Sequence, residues 1–448
     1  MFIIFSLYYL LHLAIFITNT MDKTEYEELL ALVKQQMVPA MGCTEPIAVA
    51  LAAAKMRTVL EQEPEQITVS LSANIVKNAM GVGIPGTGMV GLPIAIALGV
   101  LIGKSEAMLE VLEDCDQAAV IKGKEMINAN RISISLKEDV ADKLYIEVEG
   151  FSGTQKAKVI IQGKHTNFVY LSRNETVLLD RLQPSALVSS TKTHNLSLRK
   201  VYDFSTTAPF ADISFILEAG RLNKEAAELS LKQDYGHSLG RTLQGKREEE
   251  IMGKSIFADI LSYTSAACDA RMAGAKIPIM SNSGSGNQGI ATTIPIVIYA
   301  ERIGASQEQL ARALLLSSLT AIYIKQSLDS LSALCGCVVA ATGSSCGITY
   351  LMGGDYLKVT YAVKNMIANL TGIICDGAKP SCSLKLSSGV STAVLSAMLA
   401  MEGKSVSSTE GIIDEDVDKS IRNLTDIGSK AMNETDKMIL DIMVHKQS

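Results

Sequence analysis

ADISFILEAGRLNKEAAELSLKQ, residues 211–233, carries the reading on which the fold turns. Its apolar residues recur at steps of three and four, which lines one face of a helix. Long helical stretches of this kind run from about 208 to the C-terminus, interrupted by loops rich in Gly, Ser and Cys. Upstream the period changes to two. KLYIEVEG (143–150) and QKAKVIIQG (155–163) alternate as half-buried strands do, and ITVSLSANI (67–75), RISISL (131–136) and FVYLS (168–172) join them. A helical signal also fills about 22–60 and ends near EQEPEQ. The expected fold class is α+β, a mostly helical domain with an inserted smaller α/β module. Residues 21–65 and 201–448 belong to the helical domain, and 66–200 to the module.

The chain has 448 residues, enough for two or three domains. Its 41 basic and 47 acidic residues are spread along the chain without a basic run, for a net charge of −6, which argues against a nucleic-acid surface. Apolar residues make up 48%, aromatics only 5%, and Trp is absent. Gly, Ala, Ser and Met are plentiful instead, as suits tightly packed helices with small residues at their contacts.

Residues 1–19, MFIIFSLYYLLHLAIFITN, are apolar and long enough to cross a bilayer. No Lys or Arg precedes the apolar stretch and no small-x-small cleavage site follows it, so it does not read as a secretory signal. Met21 opens an amphipathic helix with acids in its first turn. Residues 1–20 are therefore read as an upstream extension, with an N-terminal membrane anchor as the rival. GVGIPGTGMVGLPIAIALGVLIG (81–103) has membrane-spanning length too, but Pro85, Pro93 and its glycines make it a loop feeding a buried helix.

AMGCTEP (40–46) sets Cys43 at the opening of an apolar helix, where the dipole and free N–H groups favour a thiolate. Glu45 in the same first turn is already explained by the dipole. Of eight cysteines, five fall within 335–382, which points to a cytosolic metal or reactive-thiol site rather than to disulfides. Cys335 sits in SALCGCVVAA, and Cys375 and Cys382 bracket the turn in ICDGAKPSC. Such thiolates suit an iron–sulfur cluster, and three of them leave one iron open. Cys115, Cys268 and Cys346 read as packed core thiols. SNSGSGNQGIATTIP (281–295) is a second candidate: a helix start after Gly289 would present N–H groups to an anion, and Ser283, Gly284, Ser285, Gly286, Asn287 and Gln288 would bind a substrate carboxylate. GVLIGKS (99–105) is one residue short of a phosphate-binding loop, and no zinc-protease histidine pair is present.

GCTEP, SGSGNQG, LCGC and ICDGAKPSC, in this order, resemble the iron–sulfur-dependent L-serine dehydratase alpha-chain superfamily. The nearest resemblance is to its L-cysteine desulfidase branch, formerly a family of unknown function, and it spans about 22–440. It implies a [4Fe–4S] cluster held by Cys335, Cys375 and Cys382, with Cys337 a possible substitute for Cys335. It also implies that Cys43 is the active-site thiol, either as the base that takes the α-proton or as a cap on the open iron. The implied reaction is β-elimination in the cytoplasm, releasing pyruvate and ammonia from L-cysteine or L-serine. The expected partner is that small amino acid, with no nucleic acid, no membrane unless the leader is real, and a homodimer as the candidate assembly. The rivals are a membrane protein and a non-catalytic iron–sulfur protein.

Overall fold

In the computed structural model the described residues are 21–138, 140, 142–182, 194–328 and 332–445. The reading of residues 1–20 lies outside them. Helix α1 (Lys23–Gln36) buries Leu29, Leu32 and Val33, with Glu25 in its first turn and Lys34 in its last, as the helix dipole favours. The helical signal of 22–60 is not one helix. Pro39 biases Val38 away from helical backbone, and a short strand β1 (Pro39–Met41) separates α1 from α2 (Thr44–Leu60).

A segment that is apolar on every side must be buried on every side. Pro46 through Ala54 of α2 are all buried, between the sheet and the next helices. The sheet comprises β2 (Gln66–Leu71), β3 (Ile132–Leu136), β4 (Tyr145–Ser152), β5 (Gln155–Gln162), β6 (Phe168–Arg173) and β7 (Thr176–Asp180). Their order is β3-β2-β4-β5-β6-β7, with β2 and β3 parallel and the other pairs antiparallel. Ile146, Val148, Val159 and Ile161 face α2, while Tyr145 and Ile160 belong to a small cluster on the other face. Helices α3 (Ala73–Ala79), α4 (Leu92–Ile102) and α5 (Gln117–Asn128) complete this unit. Its core takes in α2, so it reaches upstream of residue 66. Residues 92–102 of the long apolar stretch are α4, buried against α2 so closely that a Cβ on Gly99 would lie 2.3 Å from the Ala50 carbonyl oxygen.

The second core is helical. It contains α6 (Leu198–Thr207), α7 (Leu217–Lys232), α8 (Ile256–Met272), strand β8 (Pro278–Met280), α9 (Gly286–Ile303), α10 (Gln307–Gln326), α11 (Gly336–Leu351), α12 (Tyr356–Leu370), α13 (Cys382–Met401) and α14 (Val417–Asp426), and is followed by α15 (Asn433–Val444). The chain is thus α+β and mostly helical. Helix α11 lies at the centre, with Cys337 through Thr349 buried beneath α9, α10, α12 and α13. A Cβ on Gly343 would sit 2.2 Å from the Ser317 carbonyl oxygen of α10. The opening segment supplies α7, whose buried Asn223 accepts from Met280 N (2.9 Å) and donates to Thr293 (2.8 Å), fixing β8 and α9. Among the described residues one helix, α13, is long and apolar enough to cross a membrane, and half of it is buried in protein.

A two-stranded ribbon joins the two cores. β1 pairs antiparallel with β8, Pro39 opposite Met280 and Met41 opposite Pro278. The ribbon continues as Ser281 N donates to Val38 O (2.9 Å) and Ser283 N to Gln36 O (3.0 Å). Two motifs more than two hundred residues apart are thereby laid side by side. Because Gly343 leaves no space for a side chain against Ser317, Gly343→Val should destabilise the protein by about 1–3 kcal/mol. A denaturation midpoint equal to wild type would contradict this packing.

Candidate active site

Gly42 has φ +72°, and a Cβ there would strike Pro85 at 2.6 Å, so the turn into α2 is a glycine position on two counts. It delivers Cys43 to the N-cap of α2, 3% exposed. Burial pushes the Cys43 thiol up to about 11, and the Arg271 guanidinium pulls the other way. Arg271, near the end of α8, donates from Nη2 to Cys43 Sγ (3.1 Å) and Gly42 O (3.4 Å), and from Nη1 to Asn287 Oδ1 (3.1 Å). Asn287 also receives the Cys268 thiol (3.6 Å), and its amide nitrogen contacts Met272 Sδ (3.4 Å). Its side chain therefore braces Arg271.

Helix α9 begins four residues earlier than its sequence indicates. Ser285 Oγ caps Gln288 N (3.3 Å), so Gly286, Asn287 and Gln288 form the first helical turn, not a loop. The local signal was the Ser285 cap, overlooked among glycines. A Cβ on Gly286 would lie 2.2 Å from Arg271 Nε, so only glycine lets the guanidinium cross this helix start.

The other thiols arrive from the opposite side. Leu334 and Ile374 form an antiparallel bridge, with Cys335 N bonded to Ile373 O (2.9 Å) and Cys375 N to Ala333 O (2.7 Å). Cys335 is the N-cap of α11, and Cys382 opens α13 with its thiol toward Gly377 O (3.6 Å). Gly377 has φ +88°, and a Cβ there would collide with the Lys77 carbonyl oxygen at 2.0 Å. A hydrogen bond from Cys337 lowers Cys335 to about 7, whereas burial raises Cys375 and Cys382. Cations surround the group. Lys77, 2% exposed, pairs with Asp436 of α15, and Lys379 (2.5 Å) and Lys385 both pair with Asp376. Against the cost of burial, these two lysines lower Asp376 to about 2.

One cavity collects nearly every candidate. Cys43, Ser283, Gly284, Ser285, Asn287, Gln288, Cys335, Cys375 and Cys382 line it, with Gly286 just beneath; Arg271, Cys337, Lys77 and Lys385 line it too. Cys115, Cys268 and Cys346 do not line it. Among the described residues no three His, Cys, Asp or Glu side chains close on a single metal ion. The lining instead gathers several thiols with lysines beside them, a soft donor set that suits a polynuclear iron–sulfur group better than one hard cation.

The serine dehydratase alpha chain model matches residues 106–441. The chain belongs to the serine dehydratase alpha-chain family. It is 64% identical over 426 residues to UPF0597 protein BF3560 of Bacteroides fragilis, covering 95% of this chain and 100% of that one. A UPF0597 protein of Bacteroides thetaiotaomicron is 65% identical over 95% of this chain and 99% of its own length. One from Porphyromonas gingivalis is 51% identical over 95% and 100%. The family is of the iron–sulfur serine dehydratase type, in keeping with the thiols that line the cavity.

Arg271 and Lys77 escaped the sequence reading. The available signal for Arg271 was the pair Asp269 and Arg271 inside the otherwise uncharged SYTSAACDARM; an ionisable group that is buried there has to be employed. In protein prepared without a bound cluster, Cys335 should be the cavity thiol most readily alkylated at neutral pH, because it alone is lowered toward 7. Mass spectrometry of iodoacetamide-treated protein checks this, and earlier labelling of Cys375 or Cys382 would contradict it.

Proposed function

We propose that this family member is an iron–sulfur-dependent β-eliminating lyase converting L-cysteine and water to pyruvate, ammonia and hydrogen sulfide. What carries the reading is the convergence of Cys43 with Cys335, Cys375 and Cys382 on one cavity, in a chain of the serine dehydratase alpha-chain family. Cys335, Cys375 and Cys382 would hold a [4Fe–4S] cluster, with Cys337 the alternative to Cys335. When bound, such a cluster supplies Lewis acidity from an iron without a protein thiolate, which eases loss of the β-substituent.

The chain's own residues supply the proton chemistry. Cys43 takes the α-proton as its thiolate, a form that the Arg271 guanidinium and the start of α2 favour against burial. The C–H electron pair becomes the Cα–Cβ double bond, and the Cβ–S pair leaves with sulfur as hydrosulfide. The resulting aminoacrylate tautomerises to an imine, and water hydrolyses it to pyruvate and ammonia. The segment Ser283 to Gln288, from the loop before α9 into its first turn, binds the amino acid. The helical part from 201 onward is the catalytic domain of this proposal, faced by the sheet unit. All eight cysteines are free, which supports placing this lyase in a reducing cytoplasm. Dehydration of L-serine is the second reading, favoured by the description of the family that matches.

Protein purified without oxygen should contain about four irons per chain and form pyruvate from L-cysteine or L-serine. Cys375→Ser and Cys382→Ser should lose the iron, while Cys115→Ser, far from the cavity, should keep it. Full iron content in Cys382→Ser would overturn the ligand set. Absence of pyruvate from both amino acids would overturn the reaction.

A further inference from the structure

A guanidinium is charged at every pH a protein survives, so a buried one has to be balanced by an anion. Arg271 is only 6% exposed and lines the cavity. Its three hydrogen bonds run to the Asn287 amide oxygen, the Gly42 carbonyl and the Cys43 sulfur, and none of these acceptors is a carboxylate. Its Nε is buried with no acceptor among the described residues. Glu45 shares the cavity lining, but its carboxylate takes the Thr44 hydroxyl (3.2 Å) and makes no ion pair with Arg271 among the described residues. The guanidinium also crosses the start of α9, where the positive end of the helix adds to its charge. A buried cation therefore stands beside a cavity with the Cys43 sulfur as its only ionisable hydrogen-bond partner among the described residues, and with no carboxylate.

A complementary vacancy of hydrogen bonding lies on the same wall. Gln288, 4% exposed and in the first turn of α9, has an amide oxygen that is buried without a donor among the described residues. A single ligand with a negative end and a donor-rich positive end would satisfy both groups.

We propose that Arg271 anchors the substrate's carboxylate and that Gln288 accepts a hydrogen bond from its α-ammonium, so the site selects zwitterionic α-amino acids. The inference rests on the β-elimination reading and names the specificity determinants of that site. Because Arg271 also touches Cys43, the anchored carboxylate brings the α-carbon to the thiol that would deprotonate it. Neither half of the ligand is sufficient. An amine lacking the carboxylate leaves the buried Arg271 Nε without an acceptor, and an acid lacking the ammonium leaves Gln288 without a donor.

The test is equilibrium binding by calorimetry on anaerobically purified protein, with L-alanine as a ligand that has no leaving group, and ethylamine and propionate as its two halves. L-alanine should bind wild type more tightly than either half. Arg271→Gln should weaken L-alanine at least tenfold without altering ethylamine, and Arg271→Lys, which keeps the charge but not the fork, should lie between. Gln288→Leu should weaken L-alanine and leave propionate unchanged. Thermal melting of each variant separates lost binding from lost folding, and Arg271→Lys preserves the test if Arg271→Gln unfolds. Wild-type affinity for L-alanine in Arg271→Gln overturns the anchor while leaving the lyase reading intact. A folded wild type that binds no α-amino acid overturns the lyase reading and the anchor with it.

Discussion

The guanidinium of Arg271 is the contact on which the candidate site depends. It reaches from the end of α8 to the turn before α2 and to the first turn of α9, so three segments distant in sequence share one side chain. Cys43 belongs to the helical core, while the helix it caps belongs to the core under the sheet. The site is thus a seam between two cores. The ribbon of β1 and β8 sets the register of that seam, and the bare Cα of Gly286 leaves the space in which the guanidinium lies.

Charge explains the rest of the cavity. Several thiols gathered in a buried place cannot all ionise unless cations are near, and burial alone raises Cys43, Cys375 and Cys382. Lys77 and Lys385 on the lining, with Lys379 behind, make the region receptive to thiolates. Each lysine is held by a carboxylate, Asp436 or Asp376, so the cations are fixed in place instead of folding onto the sulfurs. Lys77 in addition ties α15, at the far end of the chain, to the wall of the cavity.

Much of this was legible in the sequence because period and spacing are local properties. The alternation of KLYIEVEG and QKAKVIIQ marked β4 and β5, and the three- and four-residue steps of 211–233 marked α7. The cysteine-bearing motifs marked the cavity, since turn residues frame Cys375 and Cys382. What was not legible is non-local. Strand β7 is an exposed edge with Val177 and Leu178 open to solvent, so no buried face imposed a pattern on it. The break between α1 and α2 depends on pairing with a strand far downstream. Arg271 acquires its meaning only when Cys43 and Asn287 are brought to it.

The central claim is that Cys43 is the base of an α-proton abstraction carried out beside a thiol-held cluster. Hydrogen exchange at the α-carbon of L-alanine in deuterated water, followed by proton NMR, reads that step without any elimination to mask it. Wild type should exchange the α-hydrogen, and Cys43→Ala should not, with its iron content unchanged. Exchange at the wild-type rate in Cys43→Ala would contradict the account.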